Sequence, residues 1–263
     1  MTDDDLVVRR AVPADRAQVV ELCRASLGWS SGDVDEAFFA WKHDDNPAGT
    51  SPMWLAESPE GEVVGVRVFL RWRYRTASGE RIDAVRAVDT ATHPAWQGRG
   101  IFRRLTLGAL PELTADGVAC VFNTPNDQSR PGYLKMGWTT VGRVPVAVRV
   151  RSPRSAARLA GARTAAELWS EPTDVGQDAA AAFADDDAVA ALLAQLGSPA
   201  RLHTDLTAAH LRWRYRFEPL RYRVQPLGSL AEGAIVFRLR RRGEAIEATV
   251  CEVLAPAGSG AAV

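Results

Sequence analysis

The stretch HPAWQGRGIFRRL, His93 to Leu105, decides how the rest of the chain is read. Gly98 and Gly100 stand one residue apart, after an alternating apolar run and ahead of a helical periodicity, with arginines on both sides. Glycine lets backbone turn left-handed and approach a ligand closely, and a helix N-terminus draws anions. The pattern points to a phosphate held by backbone N–H groups.

Upstream, DLVVRRAVPADRAQVVELCRASL predicts a short strand, a Pro/Asp turn and an amphipathic helix carrying Val19, Val20, Leu22, Cys23 and Leu27. MWLAESPEGEVVGVRVFLRWRYRTASGERIDAVRAVDTATHP then holds three β-rich runs separated by SPEGE and ASGER, both with turn chemistry. That is an antiparallel meander. Downstream of the glycines comes a helix with Phe102, Leu105, Ala109 and Leu113 on one face, where Pro111 predicts a kink or an early end. GVACVFNTP predicts a buried strand, NDQSRPGYLKMG a turn and short helix, and WTTVGRVPVAVRV a closing strand. The order is mixed α/β.

Composition excludes some functions and leaves others. The 263 residues carry a formal net charge of zero, so no global field draws the chain to nucleic acid or an anionic membrane. Any anion site is local. Lysine occurs only at Lys42 and Lys135, an arginine bias into which no function is read. Cys23, Cys120 and Cys251 are scattered and form no metal-ligand spacing or disulfide framework, and Cys120 is expected to be a small buried side chain. The acidic opening MTDDDLVVRR lacks the order of a signal peptide, and no apolar run approaches a membrane span. A cytoplasmic protein without a metal, a nucleic-acid partner or a membrane partner is expected.

The second half echoes the first. Trp41-Lys42 is followed by Pro47, and Trp213-Arg214 by Pro219 at the same interval. GERIDA at Gly79 to Ala84 is matched by GEAIEA at Gly243 to Ala248, each followed within five residues by an acid, Asp89 or Glu252. The spacing shortens from 172 to 164 residues, as a loop deletion produces. Duplication is the better reading. It divides the chain into a first domain over residues 1–150, an alanine-rich helical linker over 151–185, and a partial second domain over 186–263. Where the first copy continues into HPAWQGRGIF, the second reads LAPAGSGAAV and has no glycine stretch leading into a helix. Cover for its last strand from the first domain or a partner chain is expected, which leaves a homodimer open.

Three phosphate loops compete for Gly98 and Gly100. A P-loop requires a Lys-Ser/Thr pair that is missing, and a dinucleotide fingerprint requires a third glycine where Arg103 stands. The third is the acyl-CoA loop of the GNAT N-acetyltransferase superfamily, Gln/Arg-x-x-Gly-x-Gly/Ala between its fourth strand and third helix. Gln97-Gly98-Arg99-Gly100-Ile101-Phe102, preceded by His93-Pro94, resembles that signature, with Phe102 in place of the last small residue. GYLKMGW resembles the family's Tyr-x-x-x-Gly-aromatic segment, and the order of elements over residues 5–150 is similar to the GNAT fold. The remainder resembles an incomplete second acetyltransferase-like copy of tandem members.

The resemblance implies acetyl-CoA as co-substrate and direct transfer of acetyl to a primary amine of a small molecule or protein. Backbone N–H groups of Gly98, Arg99, Gly100 and Ile101, with the helix dipole behind them, are suited to a pyrophosphate. Gln97 and Phe102 complete the loop. Arg103 and Arg104 are read either as contacts to the ribose phosphate or as solvated surface arginines. The resemblance places the thioester carbonyl at a backbone N–H about Asp89 to Thr90, pantetheine along the fourth strand beside Val88 and Thr90, and Asn126 at pantetheine or in a turn. Tyr133 matches the family's acid for the departing thiolate, against the alternative of an aromatic packed beside Trp138. Asp89 is read either as the base for the ammonium proton or as an acid serving the sheet, because Glu252 holds the matching place in a copy without the loop. His93, whose intrinsic pKa suits a base, and His43, in the segment expected to line the acceptor pocket, are each read either so or as ordinary loop histidines, and that pocket is expected from the Trp41 to Pro47 segment and the second domain. The rival is a module on the same fold that binds acyl-CoA or mediates assembly without turnover, motivated by Phe102.

Overall fold

β1 (Val7–Arg10) leads through a 3-10 turn at Pro13–Asp15 into α1 (Arg16–Leu27), which buries Val19, Val20, Leu22 and Cys23 as the periodicity predicts, while Leu27, expected on the same face, is exposed at the helix end. The structure, a computed structural model, describes residues 6–29, 33–161, 164–197 and 199–256, with backbone alone at 33 and 160. The acidic opening residues 1–5 and the glycine-alanine tail 257–263 lie outside the described residues.

After α2 (Asp33–His43) come β2 (Met53–Glu57), β3 (Val63–Arg75) and β4 (Arg81–Thr92), the expected meander. α3 (Ile101–Gly108) and α4 (Leu110–Ala115) follow, broken at Ala109 because Pro111 is tolerated only in the first turn of a new helix. β5 (Cys120–Phe122) and α5 (Arg130–Lys135) close this run. The sheet runs β1-β2-β3-β4-β5, antiparallel except that β4 and β5 pair in parallel. It is a mixed α/β fold.

Each face of the sheet is covered. Trp54, Phe69, Val85 and Ala87 pack against Ile101, Leu105 and Leu113 of the helices after the glycines, while Leu55, Val66 and Val68 pack against α1 and Phe39 of α2. The alternation switches faces at one point in β4. Val68 pairs with Val88 and Val66 with Ala91, so two residues, Asp89 and Thr90, oppose Arg67 alone. This β-bulge turns Ala91 toward α1 although Val85 and Ala87 face α3.

Two compact units divide the chain, Met1–Gly142 with Ala200–Asp205, and Arg143–Pro199 with Leu206–Val263. In the second lie α6 (Pro153–Gly161), β6 (Gln177–Asp178), α7 (Ala179–Ala182) and α8 (Asp186–Leu196). β7 (His203–Thr204) belongs to the first unit, where it pairs with β3 at Tyr74 and Arg75. α9 (Ala208–Tyr215), β8 (Arg223–Leu227), β9 (Ser229–Arg242) and β10 (Ala245–Leu254) complete the second unit. Its sheet, β10-β9-β8-β6, carries Val224, Ala234 and Val236 beneath Leu192, Leu211 and Tyr215. The alanine-rich segment 151–185 contains α6, β6 and α7, which cluster with this unit.

Two local expectations are corrected. The strand at Cys120 is three residues long and lies at the sheet edge, so Cys120 is exposed rather than buried. No strand forms over residues 139–150, where Val144, Val146 and Val148 are exposed. The valine alternation is present, but Pro145 offers no N–H to a ladder and Gly142 weakens it further.

Candidate active site

The glycine stretch behaves as its residues require. Gly98 (φ 79°) and Gly100 (φ 71°) both take the left-handed conformation, and a Cβ on either would meet open space. Gly100 is the N-cap of α3, with no side chain satisfying the first turn. Among the described residues, the backbone N–H groups of Gly98, Arg99 and Gly100 reach no acceptor. Arg99 stacks over Trp96 at 4.5 Å, and Gln97 Nε2 reaches the Thr92 carbonyl at 3.5 Å. Ile101 is buried against Gly65, whose missing Cβ is what lets α3 approach β3: an added Cβ would stand 2.5 Å from Ile101 Cγ2. His93 caps the preceding 3-10 turn.

Beside this loop β4 loses its partner. β5 pairs only with Ala84, Val85 and Arg86, so among the described residues the edge of β4 from Ala87 through the bulge has no neighbouring strand on that side. Asp89 holds a positive φ of 39°, a conformation that costs a non-glycine residue about 1 kcal/mol or more. Its side chain is fastened to compensate. Lys42 Nζ donates to Asp89 Oδ2 at 2.6 Å, and His43 Nε2 lies 2.8 Å from the same oxygen. His43 Nδ1 is 3.0 Å from Ser51 Oγ, and both residues are buried.

The electrostatics assign the protons. Burial pushes the Asp89 carboxyl up, but the Lys42 charge and the His43 hydrogen bond outweigh it and hold it well below the carboxylate range. Burial pushes the His43 imidazole down against the pull of Asp89, so the ring is neutral. A carboxylate only accepts, so Nε2–H donates to Asp89 and Nδ1 accepts from the Ser51 hydroxyl. Asp89 is thus a stabilised anion and a weak proton acceptor.

Tyr133 is buried on the opposite face of the bulge. Its hydroxyl accepts from Arg67 Nη2 at 2.5 Å, and Arg67 Nη1 donates to Thr90 Oγ1. Phe102 packs edge-on against the Tyr133 ring at 5.3 Å, and a Cβ on Gly132 would stand 3.1 Å from it, so it points to the tyrosine instead of blocking the glycines. Val88 packs toward α1. Asn126 is exposed, and its Oδ1 accepts from Ser129 N and Oγ, both at 2.9 Å, capping the turn into α5.

The bulge therefore gathers Asp89, Thr90 and Tyr133, and with them three residues that sequence reasoning did not connect. Lys42 and His43 lie at the end of α2, and only the packing of that helix on β4 reveals them as partners of Asp89. Arg67 had one visible signal, a cation interrupting the apolar run VVGVRVFL.

The family model for the acetyltransferase (GNAT) domain matches residues 7–141 of this chain. This chain belongs to the GNAT acetyltransferase family. Among solved structures, the GNAT domain is similar to an acetyltransferase of Trypanosoma brucei, 20% identical over 55% of this chain and 100% of that one, with TM-score 0.43. A predicted acetyltransferase with acetyl-CoA from Clostridium acetobutylicum is 18% identical over 54% of this chain and 96% of its own, with TM-score 0.44. A GCN5-related N-acetyltransferase of Ralstonia eutropha is 17% identical over 54% and 98%, with TM-score 0.44. No curated protein matches the chain.

The residues of this GNAT domain fit a CoA thioester. The open left-handed glycines, unspent N–H groups and bare β4 edge match a pyrophosphate followed by an extended amide chain. Two buried donors near Tyr133, Arg67 Nε and Trp138 Nε1, also reach no acceptor among the described residues. Among those residues no cluster of three His, Cys, Asp or Glu is placed to hold a metal, and no helix is long and apolar enough to cross a membrane.

Proposed function

We propose that this chain is an acetyl-CoA-dependent N-acetyltransferase that transfers acetyl directly to a primary amine of a small molecule or a protein. The observation that carries this reading is the β4 bulge, which sets an unpaired strand edge between the open glycine loop and Tyr133. Acetyl-CoA supplies an activated acyl carbon and a thiolate leaving group.

The chain's residues divide the remaining work. Gly98, Arg99, Gly100 and Ile101 present N–H groups to the pyrophosphate, with the α3 dipole adding to them. The β4 edge at Val88 and Thr90 pairs with pantetheine, and a bulge N–H polarises the thioester carbonyl. Asp89, held by Lys42 and His43, fixes the strained backbone that aims this N–H. Tyr133 donates its phenol proton to the departing sulfur. The ammonium proton goes to water, because Asp89 is too stabilised to take it.

Titration calorimetry of acetyl-CoA and free CoA tests the reading, beside a Gly100→Glu variant that fills the loop with bulk and negative charge. Micromolar binding abolished by the substitution is expected. A wild type that binds neither ligand sinks the proposal. An amine panel then separates turnover from the rival binding module, since binding without transfer to any amine favours the module.

A further inference from the structure

Arg67 is a buried cation that bonds no carboxylate among the described residues. It is fully buried in the middle of β3, opposite the bulge. Its two bonded partners, the Thr90 and Tyr133 hydroxyls, are neutral groups, and its Nε reaches no acceptor among the described residues. Asp89 is the nearby acid that attracts it, yet that carboxylate is already engaged by Lys42 and His43. Three aromatic rings surround the guanidinium, Phe69 at 5.2 Å, Tyr133 at 5.3 Å and Phe102 at 5.4 Å. A long apolar residue would fill this space without the desolvation cost of a charge. The cation therefore calls for a reason beyond packing.

The direction of one hydrogen bond supplies it. Guanidinium has five donors, no acceptor, and does not lose its proton in proteins. In the Arg67–Tyr133 bond the phenol oxygen must therefore accept, which leaves the phenol hydrogen free to point elsewhere. A tyrosine whose hydroxyl instead donated to a neighbour would have spent the proton that sulfur needs. With Thr90 bonded to the same guanidinium, the bulge that presents the acyl site and the acid that serves the leaving group are tied to one side chain.

We propose that Arg67 is a positioning residue for leaving-group protonation, holding Tyr133 as an acceptor so that its O–H is aimed at the CoA sulfur. This inference rests on the acetyltransferase reading given above. In the step it serves, the amine nitrogen forms a bond to the acyl carbon and the carbon–sulfur bond breaks with its electron pair going to sulfur. The phenol proton passes to sulfur, the nitrogen proton goes to water, and the phenol is reprotonated from solvent. Amine and thioester become amide and thiol. The guanidinium lies beside the negative charge that develops during the break.

A binding ratio tests this without relying on turnover. Calorimetry with CoA and with desulfo-CoA, in which hydrogen replaces the thiol, reads the interaction at sulfur alone. Wild type is expected to bind CoA about tenfold more tightly than desulfo-CoA, the worth of one hydrogen bond. Arg67→Met should bring that ratio to about one while leaving desulfo-CoA affinity intact, and should lower kcat about 100-fold with KM for acetyl-CoA within about threefold. Arg67→Lys, which keeps a donor and a charge, should recover part of both. If Arg67→Met fails to fold, Arg67→Gln decides, because its amide oxygen can accept the phenol proton: a ratio near one there supports the orienting role, and a retained tenfold ratio overturns it. Retention of the tenfold ratio in Arg67→Met, or no ratio in wild type, overturns the role of Arg67 and leaves the acetyltransferase reading standing. Failure of wild type to bind either ligand overturns both.

Discussion

His43 Nε2 lies 2.8 Å from Asp89 Oδ2, joining the last residue of α2 to the bulge of β4. The second unit contains the same device in other residues. Tyr215, the last residue of α9, hydrogen-bonds Glu252, which sits beside the register shift of β10. His43 stands two positions after Trp41 and Tyr215 two after Trp213, and Asp89 and Glu252 are the acids that the sequence echo aligned. The recurrence supports two proposals at once: that the second unit is a partial copy of the first, and that the acid serves as an anchor for the bulged strand. A pair that accepts tyrosine in place of histidine does not depend on a titrating imidazole.

The pH dependence of stability follows from that pair. Both groups have depressed folded values, Asp89 because Lys42 and His43 outweigh its burial, His43 because burial outweighs Asp89. A depressed group binds fewer protons folded than unfolded, so its stabilisation is present above the unfolded value and is lost as pH falls. The His43 contribution should begin to fade below about pH 6.5 and that of Asp89 below about pH 4. Thermal unfolding followed from pH 8 to 3 should show both stages, and His43→Gln should lack the upper one. Asp89→Asn should cost about 3 kcal/mol at pH 7, because Lys42 then loses its counter-charge, and the difference from wild type should shrink in acid.

Tyr133→Phe should lower kcat about 100-fold while the dissociation constant for acetyl-CoA stays within about threefold. Phe102→Ala should act in the same direction and less strongly. Phe102 packs against the Tyr133 ring, so its loss loosens the phenol without opening or closing the glycine loop. Weaker CoA binding with unchanged kcat in Phe102→Ala would place that ring in the loop instead.

Gly65→Ala should destabilise the fold by about 1–3 kcal/mol, an overpacking cost. The new Cβ would stand 2.5 Å from Ile101 Cγ2 and 3.3 Å from both Ala56 Cβ and Leu105 Cδ1. Relief requires α3 to shift away from β3, carrying the glycine loop with it. Chemical unfolding should therefore show lower stability, and CoA affinity should fall in parallel.

Tyr215→Phe should lower the melting temperature and leave CoA affinity unchanged. Burial pushes the Tyr215 hydroxyl well above its ordinary value, so it stays protonated and donates to Glu252. Removing that donor leaves a carboxylate short of a partner, at about 1–3 kcal/mol. A change in CoA affinity without a change in stability would contradict the anchor role.

Local features of the chain were legible because their physics is local. The left-handed glycines, the break at Pro111, the turns between strands and the candidate acid Tyr133 depend on residues within a few positions of one another. The ties to Asp89 span 46 and 47 residues and those of Arg67 span 23 and 66, and no periodicity marks such pairs in advance. The valine run at 144–150 misled for the opposite reason: alternation describes what a strand would look like if paired, and says nothing about whether a partner edge is met.

From the sequence alone came the fold class, the glycine loop ahead of α3 and the echo between halves, since backbone freedom at glycine, turn chemistry and apolar periodicity are properties of short segments. Only the tertiary structure decided that Asp89 is a fastened anion instead of an open base, and that a buried arginine stands behind Tyr133. Both outcomes depend on desolvation and on charges brought close by packing. Those two quantities exist only once distant segments share one interior.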